Sequence, residues 1–161
     1  MPKLNLGCGN DIRLGWVNLD RLPFPGVDVQ HDINLPLPFP DNEFDEVRAS
    51  HILEHVFELI PLMNELFRII NPGGSLFIAV PWWAGTWARG DPSHRHFFDH
   101  NSFSPFSDWH GRDAYIGLAG PWEKVSQTYR EDPAFYKNTW LKRAGFSPIY
   151  CMKTLLRKPK L

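Results

Sequence analysis

The sequence predicts an α/β protein built on a doubly wound, mostly parallel sheet. Short apolar runs of strand length alternate with turns and helical segments through the first half of the chain, the rhythm of parallel strands joined by crossovers. The first run, Lys3–Leu6, passes directly into Gly7-Cys8-Gly9-Asn10. That is a glycine turn at the carboxyl end of a strand, where open parallel sheets bind ligands. Ser75–Val80 is apolar almost throughout, as a strand covered on both faces is.

The elements follow in order. Trp16–Asp20 is the second expected strand and ends in an acid, and Val27–Gln30 is the third, followed by His31-Asp32-Ile33. Pro36, Pro38 and Pro40 make Leu35–Asn42 a loop, since proline neither donates to a ladder nor continues a helix. Phe44–Ser50 is the fourth strand, and His51–Phe57 and Leu59–Ile70 are expected helices. In the second of these, Leu59, Leu62, Met63, Leu66, Phe67 and Ile70 recur with a period near 3.6 and mark one buried face. Asn71-Pro72-Gly73-Gly74 stops that helix before the fifth strand, Ser75–Val80. Residues 82–121 break the rhythm, being rich in Trp, His, Gly and Pro with little periodicity; a long irregular segment in a compact domain is commonly functional. Trp122–Arg130 is expected as a strand, Ala134–Ala144 as a helix closed by Gly145, and Pro148–Leu156 as the last strand. Residues 1–161 are thus expected to form a single domain with a substrate-side insertion at about 82–121.

Composition narrows the function classes. Lys plus Arg number 17 and Asp plus Glu 18, a formal net charge of −1, so no nucleic-acid partner is expected. No stretch of the sequence is apolar enough to span a bilayer, so no membrane association is expected. Cys8 and Cys151 lie far apart, with neither a disulfide framework nor a zinc-ribbon spacing, which fits a reduced, cytoplasmic setting. Five of the seven tryptophans, Trp82, Trp83, Trp87, Trp109 and Trp122, fall within one stretch. They are either the core of an aromatic-rich subdomain or a platform that stacks on a planar or sugar acceptor.

The glycine turn gains meaning from the acids after it. Glycine lets the main chain approach a ligand with no Cβ in the way. Asp20, at the end of the second strand, can accept both hydroxyls of a ribose, and Asp32, after the third, a hydrogen bond from an adenine amino group. Each acid alone reads as a solvated strand end or helix cap; the ordered set points to an adenosine-containing ligand. A dinucleotide fits less well. Ile12 stands where the G-x-G-x-x-G fingerprint needs its third glycine, and only Asn10–Gly15 separates the turn from the second strand. A pyrophosphate gains much from a helix N-terminus, for which this stretch has little room.

Leu4-Asn5-Leu6-Gly7-Cys8-Gly9, Asn18-Leu19-Asp20, His31-Asp32-Ile33, His51-Ile52-Leu53-Glu54-His55-Val56 and Asn71-Pro72-Gly73-Gly74 together resemble the class I S-adenosylmethionine-dependent methyltransferases. The resemblance is good over positions 3–81 and looser beyond. It implies a Rossmann-like sheet of about seven strands with one antiparallel strand near the C-terminus, S-adenosyl-L-methionine as cofactor, and methyl transfer as the reaction. By the same resemblance Gly7, Cys8 and Gly9 line the methionine moiety, Asp20 holds the ribose with Arg21 beside it, Asp32 and Ile33 recognise adenine, and Ser50 and His51 pass near the sulfonium. The chain departs from the family where Asn5 replaces a frequent acid, where the first helix is nearly deleted and where N-terminal helices are missing. The cofactor is therefore expected to be more exposed than usual and to be covered by residues 82–121 or by a partner subunit.

The histidines carry the remaining expectations. Histidine suits a general base near neutral pH, and His94 and His55 are the candidates for that role; His55 reads equally as a packed helix residue. His51-x-x-Glu54-His55 also matches the H-x-x-E-H pattern of inverted zinc peptidases, but no downstream acidic ligand stands out. Asp91, His94, His96, Asp99 and His100 form a polar loop that reads as a substrate-site loop, a structural loop or a His/Asp metal site. No metal is expected to be required. The expected acceptor is a small molecule or a glycan, methylated on oxygen or nitrogen, and the exposed aromatic segment makes a homodimer conceivable. The rival reading is a non-catalytic S-adenosylmethionine-binding module.

Overall fold

The computed structural model describes residues 1–107, 117, 120–131 and 149–160. Seven strands form one sheet: β1 (Lys3–Leu6), β2 (Val17–Asp20), β3 (Val29–Gln30), β4 (Phe44–Ser50), β5 (Ile70–Pro81), β6 (Glu123–Glu131) and β7 (Ile149–Arg157), in the order β3-β2-β1-β4-β5-β7-β6. β1 pairs parallel with β2 and β4, and β4 with β5, whereas β7 runs antiparallel to both β5 and β6. The strand order reverses at β1, so β1 and its two neighbours frame the switch point. The expected helix at Ala134–Ala144 lies outside the described residues. Among the described residues no helix is long and apolar enough to cross a membrane.

Leu4, Leu6, Leu19, Val47, Ala49, Leu76 and Ile78 are buried at the centre of the sheet. The helix α1 (Leu59–Ile69) covers one face with Leu62, Met63, Leu66 and Ile69, the stripe its 3.6-residue period requires. It ends one residue earlier than its sequence pattern suggests, because Ile70 is already extended and pairs with Phe44. Asn71-Pro72-Gly73-Gly74 therefore does not stop the helix. It loops out inside β5, between the pairs Phe44–Ile70 and Glu46–Ser75. Gly73 takes φ +84° there, and a Cβ on Gly74 would come within 3.0 Å of the Asp45 carbonyl oxygen. Lys158 closes the end of α1, its Nζ donating to the carbonyls of Phe67 and Ile70 at 2.9 Å each, a cation placed at a helix C-terminus.

The proline loop has few backbone partners of its own, and α1 supplies them. Arg68 donates to the carbonyls of Leu37 and Phe39 at 3.1 and 2.7 Å, and Glu65 accepts from the Leu37 N–H at 2.7 Å. The Arg68 guanidinium, then the Leu37 N–H, hold the Glu65 carboxyl below its ordinary value of 4.5. A depressed carboxyl contributes stability that is present above that ordinary value and is lost as pH falls through the lower, folded-state one. Glu65→Gln is expected to cost about 1–2 kcal/mol at pH 7, measured by urea unfolding, and the difference from wild type should vanish in acid.

Two of the expected elements take other forms. His51–Phe57 is not a helix: only Leu53–His55 makes a single 3-10 turn, because His51 sits at φ +54°. Residues 82–107 contain two short helices, α2 (Thr86–Gly90) and α3 (Ser104–Ser107), and fold back so that Trp82 bridges to Phe98. Phe98, Phe103 and Phe106 enter the core, and Trp122 packs edge-on against Phe67 of α1 at 5.1 Å. The tryptophan group thus divides. Trp122 is core, Trp82 is half-buried, Trp83 and Trp87 stay exposed, and Trp109 lies outside the described residues.

Candidate functional site

The site lies beyond the carboxyl ends of β1, β2 and β4. Gly7 and Gly9 take φ +62° and +49°, turning the chain back under the end of β2. The Cys8 N–H donates to the Leu19 carbonyl at 3.0 Å and the Gly9 N–H to Asp20 Oδ2 at 2.8 Å. A Cβ on Gly7 would collide with the Ile52 side chain, so glycine is needed there for packing as well as for conformation. Asp20 Oδ1 accepts from the Leu22 N–H at 2.9 Å. The carboxylate is fixed by two backbone donors, and each of its oxygens retains further acceptor capacity.

The short connection that replaces the first helix is held by two buried amides, Asn5 and Asn18, which the sequence did not mark as a pair. Asn5 Nδ2 donates to the Asp11 carbonyl at 2.6 Å and to Asn18 Oδ1 at 3.1 Å. Asn18 Nδ2 donates to the Arg13 and Trp16 carbonyls and to Asp28. The departure at position 5 thereby gains a reason, since a carboxylate could not donate to the Asp11 carbonyl. Asn5→Asp is expected to destabilise the fold by about 3 kcal/mol, as two donated bonds become two acceptor–acceptor contacts; urea unfolding measures it, and a loss near zero would leave the amide pair without this role.

Asp20 and Asp32 flank one cavity of about 480 Å³, together with Gly7, Arg21 and Ile33. Asp32 Oδ1 accepts from the Asn34 N–H at 3.0 Å and from Asn34 Nδ2 at 2.8 Å. The Asn34 N–H, ahead of the other contacts, holds its carboxyl below the usual range. Asn34 in turn accepts from the Phe57 N–H at 2.8 Å, tying the chain after the 3-10 turn to the rim. Cys8 is buried beneath the turn, which pushes its thiol up, and Ser50 accepts from the Arg48 guanidinium at 3.1 Å. Cys8, Gly9 and Ser50 are not among the residues lining the cavity, whereas His51 and His55 are.

A second and larger cavity, about 1040 Å³, adjoins the first across His51 and His55. Its other walls include Glu54, Trp87, Asp91 and His94. Residues 82–107 therefore help to wall both spaces, with Ser93 and Arg95 in the smaller cavity. The segment is docked by the Arg95 and His96 N–H groups, which donate to the Glu54 carbonyl at 2.7 and 3.2 Å. Arg95 also lies over the Phe57 ring, 4.1 Å from its centroid.

The histidines have definable proton positions. His94 Nδ1 lies 2.9 Å from the Ala88 carbonyl, an acceptor only, so that nitrogen carries the proton. Ser93 Oγ commits its hydrogen to Asp91 Oδ1 at 2.6 Å, so at 3.0 Å it accepts from His55 Nδ1–H. With Nδ1 protonated, the neutral form of each ring offers its lone pair on Nε2, and the two rings lie 4.7 Å apart. His51 differs: contact with the Cys151 sulfur at 3.8 Å and the Glu54 carboxylate at 3.4 Å raise it to about 9. The peptidase arrangement of His51, Glu54 and His55 is not formed, because the positive φ of His51 breaks the helix on which i and i+4 would share a face. His96 is turned away from His94 and bonds the Val56 carbonyl at 3.0 Å.

The profile of the methyltransferase domain family matches residues 8–78. A protein of Mycolicibacterium smegmatis described as "Probable S-adenosylmethionine-dependent methyltransferase" is 33% identical over 95 residues, 48% of this chain and 37% of that protein. The demethylmenaquinone methyltransferase of Listeria welshimeri is 31% identical over 67 residues, 42% of this chain and 28% of that one. The alignments thus span well under half of these relatives. Among solved structures, the S-adenosylmethionine-dependent methyltransferase of Archaeoglobus fulgidus superposes with a TM-score of 0.69 at 16% identity, covering 98% of this chain and 86% of that one. That likeness shows a shared fold.

Proposed function

Because the chain carries a class I S-adenosylmethionine-dependent methyltransferase domain, whose cofactor is S-adenosyl-L-methionine, we propose that it methylates an oxygen or nitrogen of a small-molecule or glycan acceptor. One observation carries the reading: the cavity flanked by Asp20 and Asp32 opens beside a second, larger one, and His51 and His55 belong to both walls.

The residues suit the cofactor. Asp20 keeps acceptor capacity for the ribose hydroxyls, and Asp32 stays ionised to accept from the adenine amino group. Gly7 leaves main chain bare for the methionine portion, with Arg21 and Ile33 on the walls. When bound, S-adenosylmethionine supplies a methyl group already activated on a sulfonium sulfur, and in-line displacement by the acceptor's lone pair leaves S-adenosylhomocysteine. The chain then has two tasks, alignment and removal of a proton. The larger cavity orients the acceptor, with the exposed ring of Trp87 as a stacking face for a sugar or an aromatic. His94, or His55 beside it, takes the acceptor's proton on its bare Nε2. Residues 86–95 supply walls to both spaces.

The test incubates the purified chain with S-adenosylmethionine and a panel of hydroxylated and amino acceptors and follows release of S-adenosylhomocysteine. Acceptor-dependent release is expected. Calorimetry with S-adenosylmethionine and with NAD runs alongside it. Tight cofactor binding with no release across the panel favours a non-catalytic binding module, and preference for NAD defeats the reading altogether.

A further inference from the structure

Among the described residues, one group of three side chains with metal-ligating atoms converges: Glu54, His55 and His94, whose ligand atoms lie within 4.8 Å of one another. We propose that these three bind one divalent transition-metal ion, zinc fitting best, in the wall of the larger cavity.

Three features support the site. The first is Glu54 itself. It is 1% exposed, and its Oε2 has no hydrogen-bond partner, while Oε1 faces His51 at 3.4 Å. A buried carboxylate oxygen left without a partner is costly, and a cation is the partner that relieves it. The second is the pair of tautomers. Ala88 and Ser93 hold the protons of His94 and His55 on Nδ1, so both Nε2 atoms offer lone pairs. A ligating histidine commonly donates its other N–H to a carbonyl or another fixed acceptor in this way. The third is access. All three side chains line the larger cavity, so three protein ligands leave a coordination position facing open space.

Two histidines and a carboxylate form a donor set suited to zinc. Bonds of about 2.0–2.1 Å place tetrahedral ligand atoms roughly 3.3 Å apart, so small side-chain rotations draw the group together around the ion. Asp91 Oδ2, 3.8 Å from His94 Nε2, stands where it can hold a water on the ion. The ion's part in catalysis rests on the methyl-transfer reading: an acceptor hydroxyl in the open position would lose its proton to solvent, with His55 and His94 as ligands in place of bases.

The chelator-treated full chain is titrated with Zn²⁺ by calorimetry and with Co²⁺ by visible absorption, both without S-adenosylmethionine. One ion per chain and a tetrahedral Co²⁺ spectrum are expected. His94→Ala and His55→Ala should each weaken binding about 100-fold or more, and Ser93→Ala, which removes the acceptor behind His55 together with the hydroxyl's bond to Asp91, about 10–100-fold. Absence of a stoichiometric ion overturns the proposal, as does binding that survives both histidine variants. Ser93 is exposed, so this variant decides the matter even if a histidine variant fails to fold; wild-type affinity in it counts against the site. A chain that binds no ion yet releases S-adenosylhomocysteine overturns this proposal and leaves methyl transfer standing. A chain that binds the ion and releases none supports this proposal and defeats the other.

Discussion

Asp20→Ala is expected to weaken S-adenosylmethionine binding about 100-fold or more in a calorimetric titration. Asp20 has two duties. Its Oδ2 accepts from the Gly9 N–H and its Oδ1 from the Leu22 N–H, so it shapes the glycine turn as well as presenting an anionic acceptor to the cavity. Hydrogen bonds to a charged group contribute roughly 1.5–3 kcal/mol each, and losing even one acceptor of a ribose pair, together with the order of the turn, reaches the 2.7 kcal/mol or so that 100-fold requires. Asp20→Asn separates the duties. Its amide can still accept from Leu22 but turns an N–H toward the Gly9 N–H, so most of the loss should remain. Unchanged affinity in both variants would remove the smaller cavity as the adenosine site, and with it the proposed function. Unfolding curves for the two variants check that the fold survives.

The second large effect concerns turnover. His94→Ala is expected to lower the rate of S-adenosylhomocysteine release by about 100-fold or more, the lower end of what a positioned acid or base contributes, while leaving cofactor affinity within a few-fold of wild type. The split follows from placement. His94 lines only the larger cavity, whereas Asp20 lines only the smaller one. The His94 side chain is 7% exposed and hydrogen-bonded to the Ala88 carbonyl, so His94→Gln serves as a control that keeps bulk and polarity. A variant that loses cofactor affinity and turnover together would show that the two cavities are not separable, and unimpaired turnover would strip His94 of its role as base.

Much of this was legible in one dimension. The glycine turn, Asp20 and Asp32 stand at strand ends, and strand ends in a parallel sheet are set by local pattern: apolar runs of fixed period, ended by residues that cannot continue them. The same holds for α1, whose apolar stripe marked its buried face, whereas the seven-stranded sheet with its antiparallel β7 was implied by the family resemblance. Legibility failed where a residue's role depends on a partner far along the chain. Asn5 stood out only as a departure from the family and Asn18 as part of a strand, and nothing marked them as partners until the chain between them is folded. Glu54 read as part of a helical H-x-x-E-H motif, yet the positive φ of His51, whose N–H donates to the Ala79 carbonyl, cancels the helix and turns Glu54 inward.

By itself, then, the sequence determined the parallel strands, the glycine turn and the acids at the strand ends, because backbone periodicity and turn chemistry act over a few residues. Only the tertiary structure decided which side chains face one another across the two cavities. Trp122 went to the core while Trp87 went to a wall, and His94 met His55 from a segment about forty residues away. The reason is physical: burial and hydrogen-bond satisfaction are settled by what packs against a residue, and that packing is written nowhere in its immediate neighbours.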